Sequence, residues 1–530
     1  MKKNNKLNIF IIVFLLISVF YPVVTMLIKV DWNDFVPLIS SNSFKEALGN
    51  SFTITAISTA ISVLLAYLLA YTLNKTNIKH RAVLKLFITL PMLIPSISHG
   101  LGLINLFGNN GLISKIFDFN IIGPVGIVLG SIIYSFPVAF LMLDDGFHYI
   151  DNNMYDAAKI LGLNKWQTFQ KVTLCYMKKP LLSSIFAVFT MIFTDYGVPL
   201  SVGGKFITLP VYLYKEVIGL LDFSTGTIIG LFLLIPAVIS FLFDTFSKDY
   251  SHSDANGKEL VLKENKVRDS VFTIFTYIVI LFIIMIMGSF VFYAFIDNIV
   301  LNPNFSLKHF EYVLNNNIFE YIFNSLLIAV LTAIIGTIIA YFAAYVTARL
   351  KGNFSKIIHI LMISSLAIPG MVLGLSYTIS FNNSFIYNSY FILILVNIIH
   401  FIASPYLMAY NALQKVNNNY EIVAKTCNIS SFRIIKDVII PCTKITIREM
   451  FAYFFVNSMV TISAISFLFN TETMPLSLLI NNYEGSFMYG EAAIVSLIIL
   501  FFNCLVKGVI YLINRREDRR RQYGIIDQTI

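Results

Sequence analysis

Residues 156–175 read DAAKILGLNKWQTFQKVTLC, and residues 422–441 read IVAKTCNISSFRIIKDVIIP. The two segments align without gaps at a separation of 266 residues, which places Gly162 opposite Asn428. Gly and Asn are the residues that best tolerate a left-handed backbone, so each segment predicts a short helix, a tight turn and a second helix. A segment that occurs twice in this way predicts a chain built from two copies of one unit.

The repeat extends well beyond these two segments. Matches at a separation of 274 are Asn50-Ser51 with Asn324-Ser325, Ala66-Tyr67 with Ala340-Tyr341, and Ile94-Pro95 with Ile368-Pro369; Leu141-Met142 matches Leu407-Met408 at 266. We therefore divide the chain into a first half at 1–249, a polar linker at 250–270 and a second half at 271–530.

The composition places this repeat in lipid. Hydrophobic residues make up 57% of the chain and charged residues only 13%, which does not suit a water-soluble surface. Runs of about 20 apolar residues are long enough to cross a bilayer as helices. Twelve such runs lie near 7–30, 51–73, 86–106, 121–143, 181–202, 224–246, 271–296, 325–347, 357–380, 389–411, 449–470 and 491–513. The predicted fold is an all-α integral membrane protein with about twelve transmembrane helices in two parallel six-helix repeats, and a pathway between the repeats.

The positions of Lys and Arg predict the orientation. With the N-terminus in the cytoplasm, all but six of the 38 Lys and Arg residues lie on the inner side, as the positive-inside rule requires. The six outer residues are Lys29, Lys45, Lys115, Lys205, Lys215 and Lys308. We expect a multi-pass protein of a bacterial plasma membrane with both termini in the cytoplasm. The basic C-terminal tail then lies at the anionic inner leaflet, and no basic stripe suggests nucleic acid.

The duplicated segment lies between the fourth and fifth spans of each half, on the predicted cytoplasmic side. Asp156 favours a helix start, Ala157 and Ala158 leave a flat helix face, Gly162 permits the turn, and Trp166 follows in the next helix. The second copy departs from this pattern because its acid, Glu421, stands one place early. Its other candidate residues are Ala424, Asn428, Phe432 and Pro441. A short helix with a small-residue face suits docking into a groove on another protein, although an amphipathic helix lying on the membrane is the plainer alternative.

These segments resemble the EAA loops of ATP-binding-cassette (ABC) importer permeases. The resemblance covers both halves, and it implies a type I ABC importer-like fold in which each loop docks on one of two copies of a separate ATPase subunit. It also implies an extracytoplasmic solute-binding protein as a partner. The sequence contains no G-x-x-x-x-G-K-[ST] phosphate loop, so ATP and Mg²⁺ are expected on the partner, with no cofactor and no catalytic residue on this chain.

A few polar residues inside the predicted spans are candidates for the transport pathway. Asp195 and Tyr196 lie in the fifth span, His99 lies in the third, and Ser463 lies in the eleventh. An ionisable residue at membrane depth suggests a functional site, but Asp195 near an outer end is equally explained by hydration, and His99 by interior hydrogen bonding.

The substrate is predicted only as a class. The chain resembles fused permeases that import ferric iron, thiamine, polyamines or phosphonates, and short segments around Asp195 and Ser463 favour phosphonate and ferric iron. A secondary transporter with two six-helix repeats explains the spans equally well but leaves the paired loops unexplained. A membrane-embedded enzyme would need clustered His, Asp or Glu residues, which the sequence lacks.

Overall fold

The computed structural model describes residues 5–109, 111–114, 121–148, 150, 153–246, 265–298, 302–350, 354–417 and 419–526. These residues are almost all helical. In the first half, the spans are Asn5–Leu15 continuing through Tyr21–Ile28, Asn42–Lys75, Arg81–Thr89 with Ser96–Phe107, Pro124–His148, Leu174–Phe193 and Phe223–Phe246. In the second half, they are Lys266–Phe295, Ile318–Tyr345, Ser355–Ser364 with Gly370–Phe381, Tyr390–Phe401 with Ala403–Lys415, Ile440–Val460 and Tyr489–Ile526.

Shorter elements connect these spans. The short helices are Trp32–Ser40, Asn153–Ile160, Lys165–Thr168, Gly197–Val202, Leu209–Tyr214, Lys308–Asn315, Asn419–Thr426, Ser431–Ile434 and Leu476–Gly485. Segments of π-helix lie at Leu16–Phe20, Phe169–Thr173, Lys215–Gly219, Val346–Leu350 and Ile435–Ile439, and 3₁₀ turns lie at Leu90–Leu93 and Ser365–Ala367. Strands Ile296–Asn298 and Asn302–Phe305 form an antiparallel hairpin.

Length and composition support up to eleven of the twelve predicted spans within the described residues. Eight helices are long and apolar enough to cross a membrane, and three bent helix pairs pass the same test together. The twelfth candidate, Ile440–Val460, does not, because Lys444, Arg448 and Glu449 make it less apolar. Two of the bent pairs turn sharply, by 101° at Pro95 and 105° at Pro369. Pro removes a backbone donor and clashes with the preceding turn, so both bends fall where the repeat places a proline.

Two predicted span boundaries are wrong. The fifth span was expected over 181–202, but its helix ends at Phe193 and a separate helix covers Gly197–Val202. The eleventh was expected over 449–470, but its helix runs from Ile440 to Val460. Near the end of the predicted linker, 250–270, the helix of the seventh span begins at Lys266, where the Asn265 side chain accepts a hydrogen bond from the Arg268 amide. The remainder of the linker, 250–264, lies outside the described residues.

The two halves repeat element by element. Helices Asn153–Ile160 and Lys165–Thr168 have counterparts 266 residues later at Asn419–Thr426 and Ser431–Ile434. Hydrogen bonds repeat as well: the Ser51 hydroxyl accepts from the Leu209 amide at 2.7 Å, and the Ser325 hydroxyl accepts from the Leu476 amide at 2.7 Å. The duplication predicted from the sequence is therefore present in three dimensions.

The first span of each half packs against a helix of the other half. Helix Tyr21–Ile28 packs on Gly370–Phe381 of the second half, where the Tyr377 hydroxyl donates to the Ser18 carbonyl at 2.6 Å. Helix Lys266–Phe295 in turn packs on Ser96–Phe107 of the first half. The first span of each half therefore packs on the proline-bent span of the other half.

Candidate functional site

The first loop helix, Asn153–Ile160, packs against its own half on a face that includes one small residue. Ala158 is buried, while Asp156 and Ala157 are exposed and Asp156 lies in the first helical turn. Small residues allow close approach of a helix to its support, so Ala158 faces the permease and the two residues before it face outward.

The turn that follows has the predicted left-handed geometry. Gly162 has φ +70°, and the Leu163 amide donates to the Ala158 carbonyl at 3.0 Å, as in a Schellman cap. Asn164 then starts the next helix, because its side chain accepts from the Gln167 amide at 2.8 Å and Gln167 accepts from the Asn164 amide. Trp166 is 65% exposed on this second helix.

The second loop helix, Asn419–Thr426, is built in the same way. Ala424 is buried, Asn428 has φ +55°, and the Ile429 amide donates to the Ala424 carbonyl at 2.8 Å. Phe432 is 74% exposed at the position equivalent to Trp166. Pro441 lies at the start of the following span, directly after the π-helical segment Ile435–Ile439.

Both loops therefore present one exposed aromatic ring beyond a left-handed turn. Large exposed apolar side chains beside polar residues are typical of protein-binding surfaces. The role of Glu421 differs from that of Asp156, because its carboxylate accepts two hydrogen bonds from Arg349. Sequence reasoning missed Arg349; aligning the two halves would have pointed to it, since Lys75 occupies the equivalent place.

The candidate pathway residues lie where the two halves meet. Asp195 is buried in the break between Phe193 and Gly197, and its carboxylate accepts from the amides of Gly197 at 3.4 Å and Val198 at 3.0 Å. It thus caps the short helix that interrupts the predicted fifth span. Tyr196 is fully buried and shares a 2.5 Å hydrogen bond with Ser466 of the other half.

The two remaining candidates flank the bends. His99 is fully buried, its Nδ1 lies 3.2 Å from the Ser96 carbonyl oxygen, and its Nε2 has no partner within the described part of the chain. Ser463 packs against Gly370, and Gly197 packs against Ser96. Gly197 is equivalent to Ser463, and Ser96 is equivalent to Gly370. The two helix crossings therefore correspond, and each contains one glycine and one serine.

Further hydrogen bonds hold the halves together around these crossings. Ser98 and Ser496 lie 2.9 Å apart through their hydroxyls, and the Asn503 side chain donates to the Leu93 carbonyl at 2.8 Å. The Leu93 carbonyl lies at the proline bend, so the last span of the second half supplies a partner at the point where the third span breaks. No group of three His, Cys, Asp or Glu residues that could hold a metal ion occurs in the described ranges.

Comparison with known proteins agrees with this duplicated architecture. The family described as "binding-protein-dependent transport system inner membrane component" matches residues 62–249 and again residues 336–519. A ferric transport system permease protein of Actinobacillus pleuropneumoniae is 24% identical over 81% of this chain and 67% of its own length. A putative ferric transport system permease protein of Haemophilus influenzae is 23% identical over 83% of this chain and 72% of its own length.

Shorter similarities involve other permeases. A sulfate transport system permease protein of Synechococcus elongatus is 25% identical over 40% of this chain and 77% of its own length. A thiamine transport system permease protein of Brucella suis is 28% identical over 25% of this chain and 26% of its own length. The family match covers both halves, as the repeat requires. The chain therefore belongs to the family of binding-protein-dependent transport system inner membrane components, and it carries two copies of the family's domain as fused halves.

Proposed function

We propose that this chain forms the membrane pathway of an ATP-driven importer of ferric ion. A separate ATPase docks on the two loops at the cytoplasmic face, and a solute-binding protein delivers the ion at the opposite face. The observation that carries the choice of ferric ion is the similarity to two ferric transport permeases, which extends over more than four fifths of this chain. Phosphonate, thiamine and polyamine remain predictions from the sequence.

The chemistry around Asp195 supports a cationic substrate. Besides the two amides that it caps, Asp195 interacts with the Ser96 hydroxyl, and no Lys or Arg of the described chain forms an ion pair with it. The phenol of Tyr134 also lies within electrostatic range of the carboxylate. Carboxylate and other oxygen donors suit small hard cations, and a buried carboxylate without a basic partner repels oxyanions.

Reconstituted transport tests this proposal. The permease is placed in proteoliposomes with its co-purified ATPase and solute-binding protein, and uptake of radiolabelled ferric citrate is measured with and without ATP. We expect ATP-dependent iron uptake that excess sulfate, thiamine and 2-aminoethylphosphonate do not reduce. Recovery of the wild-type permease without an ATPase, or transport of one of the competitors in place of iron, would contradict the proposal.

Asp195→Asn separates the charge of this residue from its capping role. Asn caps helices as well as Asp does, so the fold should persist, whereas iron uptake should fall about tenfold or more because the pathway loses its negative charge. Asp195→Ala removes the cap as well and serves as the comparison. If the Asp195→Asn variant transports at the wild-type rate and only the Asp195→Ala variant fails, Asp195 acts as a cap alone.

A further inference from the structure

The end of the eighth span is joined to the second loop helix by a buried arginine. The Arg349 side chain is 2% exposed, and it donates from Nε to Glu421 Oε1 at 2.7 Å and from Nη2 to Glu421 Oε2 at 2.5 Å. A two-pronged guanidinium–carboxylate pair fixes orientation as well as distance.

The same guanidinium also binds the end of the tenth span. Arg349 Nη1 donates to the carbonyls of Val416 at 2.5 Å and Leu413 at 3.2 Å, and Nη2 donates to the carbonyl of Asn417 at 3.2 Å. Carbonyls at a helix C-terminus lack helical partners, so the cation satisfies them and its own donors together. Arg349 thereby ties two spans to the loop helix.

The first half makes the equivalent tie with different chemistry. Lys75 precedes Arg349 by 274 residues and Tyr155 precedes Glu421 by 266, and the Lys75 ammonium lies 4.3 Å from the centre of the Tyr155 ring. Burial raises the pKa of the Tyr155 phenol, so the ring stays neutral and the contact is a cation–π interaction. The Tyr155 hydroxyl also pairs with Thr173 at 3.0 Å.

At a neighbouring pair of equivalent positions, the ion pair lies in the first half and the aromatic contact lies in the second. In the first half, Lys85 and Asp144 form an ion pair at 2.6 Å. Their equivalents in the second half are His359 and Tyr410, whose rings lie 4.9 Å apart. At these two pairs of equivalent positions, each half has one charge pair and one aromatic contact, but only the second half uses its charge pair to hold the loop helix.

We propose that Arg349 and Lys75 are positioning residues that hold the two loop helices for coupling, and that the second loop helix is held more firmly than the first. Coupling here rests on the proposed ATP-driven function. A bidentate pair with three additional carbonyl contacts allows less freedom than one ammonium over a ring whose hydroxyl makes a single hydrogen bond to Thr173. Of the two loops on which the two ATPase copies dock, the second is therefore the more rigid and the first is the more mobile.

Hydrogen exchange on the purified permease alone tests the holding role without any ATPase. In the wild type, amides of Asn419–Thr426 should exchange more slowly than those of Asn153–Ile160. Arg349→Ala should speed exchange in the second loop helix about tenfold or more, since Glu421 is then left unpaired. Arg349→Lys keeps the charge and should give an intermediate rate, and it also serves if the Ala variant is not recovered. Unchanged exchange in the Lys variant, or equal exchange in the two wild-type loops, would overturn the proposal.

Replacing the ion pair of the second half by the cation–π contact of the first half tests the difference between the halves. Arg349→Lys with Glu421→Tyr gives the second loop the contact of the first, and its exchange should rise to that of the first loop. The matched control, Lys436→Ala, changes a cation of the same half away from the tie. In proteoliposomes with the ATPase, Arg349→Ala should still bind the ATPase but hydrolyse several-fold more ATP per ion transported. An unchanged ratio would remove the coupling role, whereas a wild type that binds no ATPase would contradict the proposed function instead.

Discussion

Replacing Ala158 by Arg is expected to lower ATP-driven uptake by about 100-fold or more while the permease still inserts into the membrane. Ala158 is 3% exposed and lies on the face of the first loop helix that packs against its own half. An Arg there must bury a charge without a partner or push the helix off its seat, and either outcome costs several kcal/mol. Co-purification of the ATPase and iron uptake measure the effect.

The second half provides the matched variant. Ala424 is 5% exposed at the equivalent position, so Ala424→Arg should have an effect of the same kind. Lys79→Ala, which changes an exposed cation of the first half outside the loop helices, is the control and should retain both ATPase binding and transport. Normal ATPase recovery and uptake with Arg at both alanine positions would show that the loops are not the docking elements.

Replacing the glycine at each crossing by alanine should introduce a steric clash. A second substitution should relieve the clash at Gly370 but not the one at Gly197. A Cβ at Gly370 would overlap the Ser463 hydroxyl and lie 3.1 Å from the His400 ring, so Gly370→Ala should destabilise the protein by about 1–3 kcal/mol. Ser463→Gly removes the overlapping group, so the double variant should regain most of the lost thermal stability and uptake. Thermal unfolding in detergent and iron uptake are the measurements.

The equivalent crossing should behave differently. A Cβ at Gly197 would overlap the Ser96 hydroxyl, and it would also lie 2.9 Å from the Ile97 amide nitrogen and 2.6 Å from the Ile462 side chain. Since a backbone atom cannot move aside as a side chain can, Ser96→Gly should not repair Gly197→Ala. Equal repair at both crossings would mean that the packing at the bends does not distinguish them.

The sequence was sufficient for the repeat, the loop turns and the positions of most spans. Two-fold matches at fixed separations reflect equivalent helices, and left-handed turns at Gly162 and Asn428 follow from local backbone preference. Both predictions depend on neighbours in the chain, which a sequence shows directly.

The errors have a common physical origin. Apolar content continues through Phe193 and beyond, so hydropathy alone extended the fifth span across the cap that Asp195 forms. Hydropathy likewise moved the eleventh span away from its charged first turns, although Arg448 and Lys444 are paired there with Glu517. A carboxylate that forms an ion pair or caps a helix affects where that helix begins or ends. A hydropathy average over a window of residues does not detect such specific contacts.

Contacts between distant segments were predicted least well, because a pattern along the chain does not show which segments meet. Glu421 appeared to be a misplaced acid of the loop pattern, and only the fold brings Arg349 to it. The exchange of Gly and Ser at the crossings is similarly visible only once the bent spans lie beside the interrupted fifth and eleventh spans.

The packing of each first span on the other half has a consequence for biosynthesis. The first span of the first half rests on a helix that ends at Phe381, so it has no finished seat until most of the polypeptide has left the ribosome. Within its own half this helix packs mainly on Phe223–Phe246 among the described spans, so the first half lacks most of the packing of its opening helix until then, and the contacts between the halves form late. Placing both halves on one chain guarantees that the awaited helix follows from the same messenger and in equal number.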